Sequence, residues 1–158
     1  MSFSQHIAFH VRTIAAQHYR RIVIQRQQQN AGSPETAPTW NYTGTGFTIQ
    51  GRNDTSAPRQ RGVNDGRGFC FVGHTGDVYP SGFLQVKAGN VRQQSLVDVY
   101  RSSPLFRALR DPAQLKGKCG ACEYRQVCGG SRARAFALTG DCLASDPSCV
   151  YVPPGARG

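Results

Sequence analysis

Six cysteines stand among the 158 residues, and three of them, Cys119, Cys122 and Cys128, form a C-x2-C-x5-C run. Two cysteines three positions apart in a tight turn can bring both sulfurs to one ion or cluster. Gly120 and the Gly129-Gly130 pair are expected to supply the backbone freedom that such a wrap needs. Thiolates held this close repel one another unless a cation or an iron–sulfur core neutralises them. The run predicts a metal centre, with Cys142 and Cys149 downstream as candidate fourth ligands. A [4Fe–4S] cluster takes four thiolates, and so does a tetrahedral zinc site. Zinc more often pairs C-x2-C with a second C-x2-C or with H-x3–5-H, which the C-x5-C arm does not match. His74 could complete a zinc site of three cysteines and one histidine, but the turn holding it reads more simply as solvent-exposed. Spacing alone leaves both metals open.

Cys70 is different: isolated on an apolar strand, it reads as a small buried hydrophobe. Lys118, Arg125, Arg132 and Arg134 crowd the run. Nearby cations stabilise an anionic cluster and raise its reduction potential; the alternative is a solvated basic face.

Composition bounds the partners. The length suits one domain with a modest core, because 39% of residues are hydrophobic and much of 27–67 is polar. The net charge of +10 comes from sixteen Arg and three Lys scattered along the chain, so nucleic acid is not the expected partner. No apolar run approaches the roughly 18 residues of a membrane span, and no signal-peptide core is present. Without export, cysteines at short spacings read as metal ligands before disulfides, and the expected compartment is the cytoplasm.

The elements that must position the cysteines follow from pattern. In residues 7–24, Ile7, Val11, Ile14, Ala15, His18 and Ile22 share a helical face, while Ile7, Phe9 and Val11 also alternate as a strand would. His6, His10 and His18 are expected to be exposed or partly packed. Residues 27–65 read as a flexible linker, with Trp40, Tyr42, Phe47 and Ile49 as its few anchors. Phe69–Val72 and Val78–Pro80 predict a hairpin across a Gly-rich turn, and Gly89–Arg92 a further turn. Ser95 resembles a capping-box start, with Leu96, Val97 and Tyr100 as that helix's apolar side. Ser103-Pro104 begins a second helix, limited by Pro112, whose Leu105, Phe106 and Leu109 face inward. Residues 131–138 are helical in propensity, with Gly140 just beyond the end. The tail from 153 to 158 reads as disordered.

Several separated stretches then occur in a familiar order: Gly66–Phe69, Thr75–Pro80, Gly89–Arg92, Ser95–Tyr100, Ser103–Arg107, Lys116–Cys122 and Cys128–Ala133. Together they resemble the C-terminal SPASM domain of radical SAM enzymes, which carries auxiliary iron–sulfur clusters. Val11-Arg12-Thr13 and His18–Arg21 are similar to the segment leaving the radical SAM barrel in this group, favouring strand then helix over 1–26. The resemblance implies a small α+β fold over 66–152, a hairpin and short helices wrapped around a cysteine-ligated cluster. Its ligands would be Cys119, Cys122 and Cys128, with Cys149 suiting the last position better than Cys142.

Departures from the family pattern limit what is expected. Ser81 stands where the family's G-x4-C element has cysteine, Arg132 where another cysteine follows the third ligand, and Cys70 lies too close to Gly76 for the first ligand. One [4Fe–4S] cluster, not two, is the implied cofactor, with zinc as the alternative. No C-x3-C-x2-C motif occurs, so S-adenosylmethionine belongs to full-length relatives. The resemblance implies electron relay or substrate positioning in peptide or cofactor-precursor modification, without catalysis by this chain alone. Its expected partners are a radical SAM barrel or a peptide substrate; a zinc-stapled basic binding module for nucleic acid or a protein partner is the rival reading.

Overall fold

The computed structural model describes residues 17–29, 39–43, 46–50 and 64–156. The expected elements before residue 17 lie outside these, as do His6 and His10. The architecture is small α+β, with a three-stranded antiparallel sheet and several short helices.

That sheet pairs β3 (Phe71–Val72) with β4 (Asp77–Tyr79) and β4 with β5 (Gly89–Asn90). The hairpin agrees with the strand pattern. The third strand does not, since Gly89-Asn90 reads as a turn by residue type. It pairs because the Asn90 amide reaches back to the Asp77 carboxylate (2.7 Å) and the Thr75 carbonyl (3.3 Å), tying β5 to the hairpin loop.

Two helices cover the sheet. In α2 (Leu96–Ser102) the buried residue is Val99, with Tyr100 packed beside it; Leu96 and Val97 are exposed. The expected apolar face is rotated because Val99 seats on β5, where a Cβ on Gly89 would lie 2.8 Å from its methyl carbon. Nor does Ser95 form a capping bond, although it is the N-cap. α3 (Pro104–Arg110) begins at Ser103-Pro104 as expected and buries Phe106 and Leu109. Val78, Val99 and Phe106 form the core, against which Cys70 packs; it is only partly buried and lies just ahead of β3, not on a strand as its pattern suggested.

The second half of the chain is organised by turns: α4 (Gly117–Ala121) and then α5 (Arg132–Thr139), which ends at Gly140 with φ +72°, the left-handed C-terminal glycine its sequence predicts. The expected disordered tail is ordered through Ala156. Pro153 is buried, and a 3-10 turn over Pro154–Ala156 packs on α4.

Part of 27–65 carries regular structure among the described residues. A helix, α1 (Gln17–Gln29), runs into it, and β1 (Thr39–Thr43) and β2 (Gly46–Gln50) form an antiparallel hairpin pairing Trp40 with Ile49 and Tyr42 with Phe47. These β-forming residue types outweigh the polar composition around them. Asn64 and Asp65, at the supposed linker's end, are buried. The buried side of α1 is likewise unexpected: Gln17 and Arg21 are inside while Ile22 is 38% exposed. This helix docks through polar contacts, which hydrophobic periodicity cannot detect.

Candidate metal centre

The cysteine run is bent into shape by three tight features. α4 holds Cys119 on its inner side and ends at Cys122. Gly120 between them is needed for closeness instead of backbone freedom: a Cβ there would stand 2.1 Å from the Leu115 carbonyl oxygen. A turn then returns the chain, with the Cys128 amide donating to the Tyr124 carbonyl at 2.8 Å. Gly129 and Gly130 follow with φ of +66° and +65°, the left-handed pair that reverses the backbone into α5. Ser131 caps that helix, its hydroxyl accepting from the Arg134 amide.

Cys119, Cys122, Cys128 and Cys149 line one cavity, whose space is about 340 Å³ with the open solvent at its mouth included. Its walls also include His18, Arg21, Lys118, Arg125 and Tyr151. Cys142 is half-buried and Cys70, also half-buried, packs against the core beside the sheet; neither belongs to the lining. His74 is exposed on its turn and also absent from the cavity.

Two acids and an amide missed by sequence reasoning hold the cavity together. Asp146 is fully buried; it accepts from the Ser131 amide (2.7 Å), the Ser148 amide (3.1 Å) and the Arg134 guanidinium (2.8 and 3.2 Å). His18 Nε2 lies 3.1 Å from the same carboxylate, and the Asp146 amide donates to Cys119 Sγ at 3.3 Å. One residue thus joins the Cys149 turn, the Gly130-Ser131 turn, α1 and Cys119. Burial opposes ionisation of this carboxyl, but the nearby His18 and the hydrogen bonds from Arg134 and the two amides outweigh burial and hold it well below the usual carboxylate range. Asn64 performs a similar task across the chain. Its amide donates to the Gly130 carbonyl (2.6 Å) and the Cys128 carbonyl (3.4 Å) while its oxygen accepts from Gln17 and from the Asp65 amide. Asp65 in turn accepts from the Ala133 amide. The local signal for these was slight: Asp146-Pro147-Ser148 is an Asx-type turn sequence, but nothing local announces Asn64.

The basic residues are engaged with the site's framework. Lys118 donates to the Cys149 carbonyl (2.6 Å), Arg125 to the Gly120 carbonyl (3.3 Å) and Arg20 to the Val127 carbonyl (3.2 Å). Arg21 stacks over the Tyr151 ring at 4.5 Å, and the Tyr151 hydroxyl donates to Glu123. A freely solvated basic face does not describe them.

The positions where the family pattern has further cysteines do other work. Ser81 is buried, its hydroxyl accepting from the Phe83 and Leu84 amides as a turn-forming group. Arg132 is buried at the start of α5 beside Cys119.

The donor set fits an iron–sulfur cluster. All four side chains are soft sulfur donors. Burial pushes the Cys122 and Cys128 thiols up, so without a metal they are neutral, and only a cationic centre makes thiolates of them.

Comparison with known proteins agrees. Residues 64–123 match the SPASM family, described as an iron–sulfur cluster-binding domain. The chain is 40% identical over 143 residues to an AdoMet-dependent heme synthase of Methanosarcina barkeri, covering 90% of this chain and 37% of that protein. It is 39% identical over 151 residues to an AdoMet-dependent heme synthase of Oleidesulfovibrio alaskensis, covering 96% and 35%. A PqqA peptide cyclase of Methylocella silvestris is 42% identical over 84 residues, 50% of this chain and 22% of that protein. The chain thus spans about a third of the length of the heme synthases it matches. With the cysteine run, the turns that shape it and the relatives in agreement, residues 64–123 are a SPASM iron–sulfur cluster-binding domain, and the relatives that the chain matches are members of the radical SAM family.

Proposed function

We propose that the chain holds one [4Fe–4S] cluster on Cys119, Cys122, Cys128 and Cys149 and is the auxiliary-cluster part of a radical SAM activity directed at a tetrapyrrole. One observation carries the ligand set: these four thiols share a cavity that Cys142 and Cys70 do not line. A cluster there would supply one-electron transfer. The chain's own contribution is to hold and insulate. Gly129-Gly130 wraps the backbone, Asp146 sets the Cys149 turn, and Lys118 and Arg125 fix the carbonyls around the thiols. Four protein thiols leave no ligand position for a substrate, which favours electron relay over direct coordination.

The substrate class rests on how far each relative aligns. The heme synthases align over nine-tenths of the chain or more, and the peptide cyclase over half, so a cofactor precursor fits better than a peptide. Cleavage of S-adenosylmethionine is assigned to a barrel bearing the C-x3-C-x2-C motif, which these 158 residues do not contain. A chimera tests this reading: the chain replaces the matching segment of the M. barkeri heme synthase. Retained heme formation supports it, and loss of heme formation with both clusters loaded refutes it. Anaerobic incubation of the chain alone with S-adenosylmethionine and reductant should yield no deoxyadenosine.

A further inference from the structure

Arg132 is only 1% exposed, and its surroundings do not account for its charge. Nη1 donates to the Cys142 carbonyl at 3.1 Å and the Ala144 carbonyl at 2.7 Å. Nη2 faces Cys119 Sγ at 3.5 Å, and Nε has no acceptor. Among the described residues no carboxylate pairs with it. Asp146 next door is taken by Arg134 and His18, and Asp141 by Lys116 at the surface. Carbonyl oxygens solvate a cation but do not neutralise it. Burying a charge without its counter-charge is costly, and proteins tolerate it where a charged ligand completes the pair.

We propose that Arg132 is a built-in counter-cation for the cluster, placed against the Cys119 thiolate so that its charge is balanced only when the anionic cluster is bound. This rests on the ligand set proposed above. Packing fixes the pair: a Cβ on Gly130 would lie 2.6 Å from Arg132 Nη2 and 3.1 Å from Cys119 Sγ, so that glycine is the gap through which guanidinium and thiol meet. The two carbonyl bonds hold the other edge of the fork, leaving Nη2 no freedom to turn away.

A fixed positive charge against one cluster ligand favours the reduced, more negative cluster, and an N–H···S bond acts in the same direction. Arg132 accordingly raises the reduction potential. It is a positioning and tuning residue, since it acts through Cys119.

The test compares wild-type, Arg132→Gln and Arg132→Lys proteins, each reconstituted anaerobically and titrated for reduction potential by electron paramagnetic resonance, with iron and sulfide counted. Gln keeps donors for the two carbonyls and removes the charge; Lys keeps the charge. Gln should shift the reduction equilibrium about tenfold toward the oxidised cluster, about 59 mV more negative for one electron, while Lys recovers most of that shift. An unchanged potential in the Gln variant overturns the proposal, as does an equal shift in both variants. If Gln abolishes cluster binding, Lys decides: iron retained supports a charge role, and iron lost overturns it. A wild-type protein that takes up no cluster would instead refute the ligand set itself, before the variants are compared.

Discussion

Replacing Asp146 by Asn keeps its shape and removes its charge, and the structure says why this must be damaging. One carboxylate oxygen faces the Ser131 amide, Arg134 Nη2 and His18 Nε2; the other faces the Ser148 amide and Arg134 Nε. Both oxygens accept only, so the new NH2 group must confront N–H donors whichever way the amide turns. The milder orientation strands the Ser148 amide and one Arg134 bond. Arg134 is 37% exposed in its side chain and can recover water, whereas the Asp146 site is closed. Breaking a buried charged pair costs about 3–5 kcal/mol, and the escape open to Arg134 argues for the lower end, about 3 kcal/mol. Urea unfolding of the metal-free protein should show that loss. The same substitution loosens the Cys149 turn, so iron retained after anaerobic reconstitution and desalting should fall as well. The pH dependence adds a signature. The carboxyl is depressed below its ordinary value of 3.8, so it contributes stability above that pH, lost as pH falls toward the folded value. The variant should lack this acid-sensitive component. A loss under about 1 kcal/mol with full iron content would refute the assignment of Asp146 as the tie between the turns.

Two further outcomes are expected. Gly120→Ala should cost about 3 kcal/mol or more and abolish cluster retention, because its Cβ would lie 2.1 Å from the Leu115 carbonyl oxygen; Gly140→Ala, strained in φ with open space around it, should cost about 1 kcal/mol and keep the iron, as reconstitution of both would show. In the metal-free protein burial holds the Cys122 and Cys128 thiols above 9.0, so folding stability is greatest below that pH and falls as unfolded-state thiols ionise above it. A urea midpoint that rises between neutral pH and pH above 9 contradicts this.

What could be read from the sequence was local. The β3–β4 hairpin, Ser103-Pro104 at the start of α3 and Gly140 at the end of α5 each depend on residues within a few positions, so residue type suffices. Order and spacing of short motifs also picked out the family, and with it the cysteines proposed here as ligands. The frame around those cysteines was not legible, because it is built from long-range polar contacts: Asn64 to Gly130 spans 66 positions and Arg20 to Val127 spans 107. Hydrophobic patterning weighs buried apolar surface, so it misjudged α1, which buries Gln17 and Arg21, and undervalued 64–65, which read as linker. Arg132 and Ser81 were visible as departures from the family pattern, but only their burial and partners reveal what they do.

The central claim is that one cluster is held by Cys119, Cys122, Cys128 and Cys149. Iron and acid-labile sulfide should be counted per chain after anaerobic reconstitution of the wild-type, Cys149→Ser and Cys142→Ser proteins. The account predicts about four irons and four sulfides in wild type and in Cys142→Ser, with the cluster lost or made labile in Cys149→Ser. Stoichiometric zinc without sulfide, or a cluster that survives loss of Cys149 but not of Cys142, would contradict it.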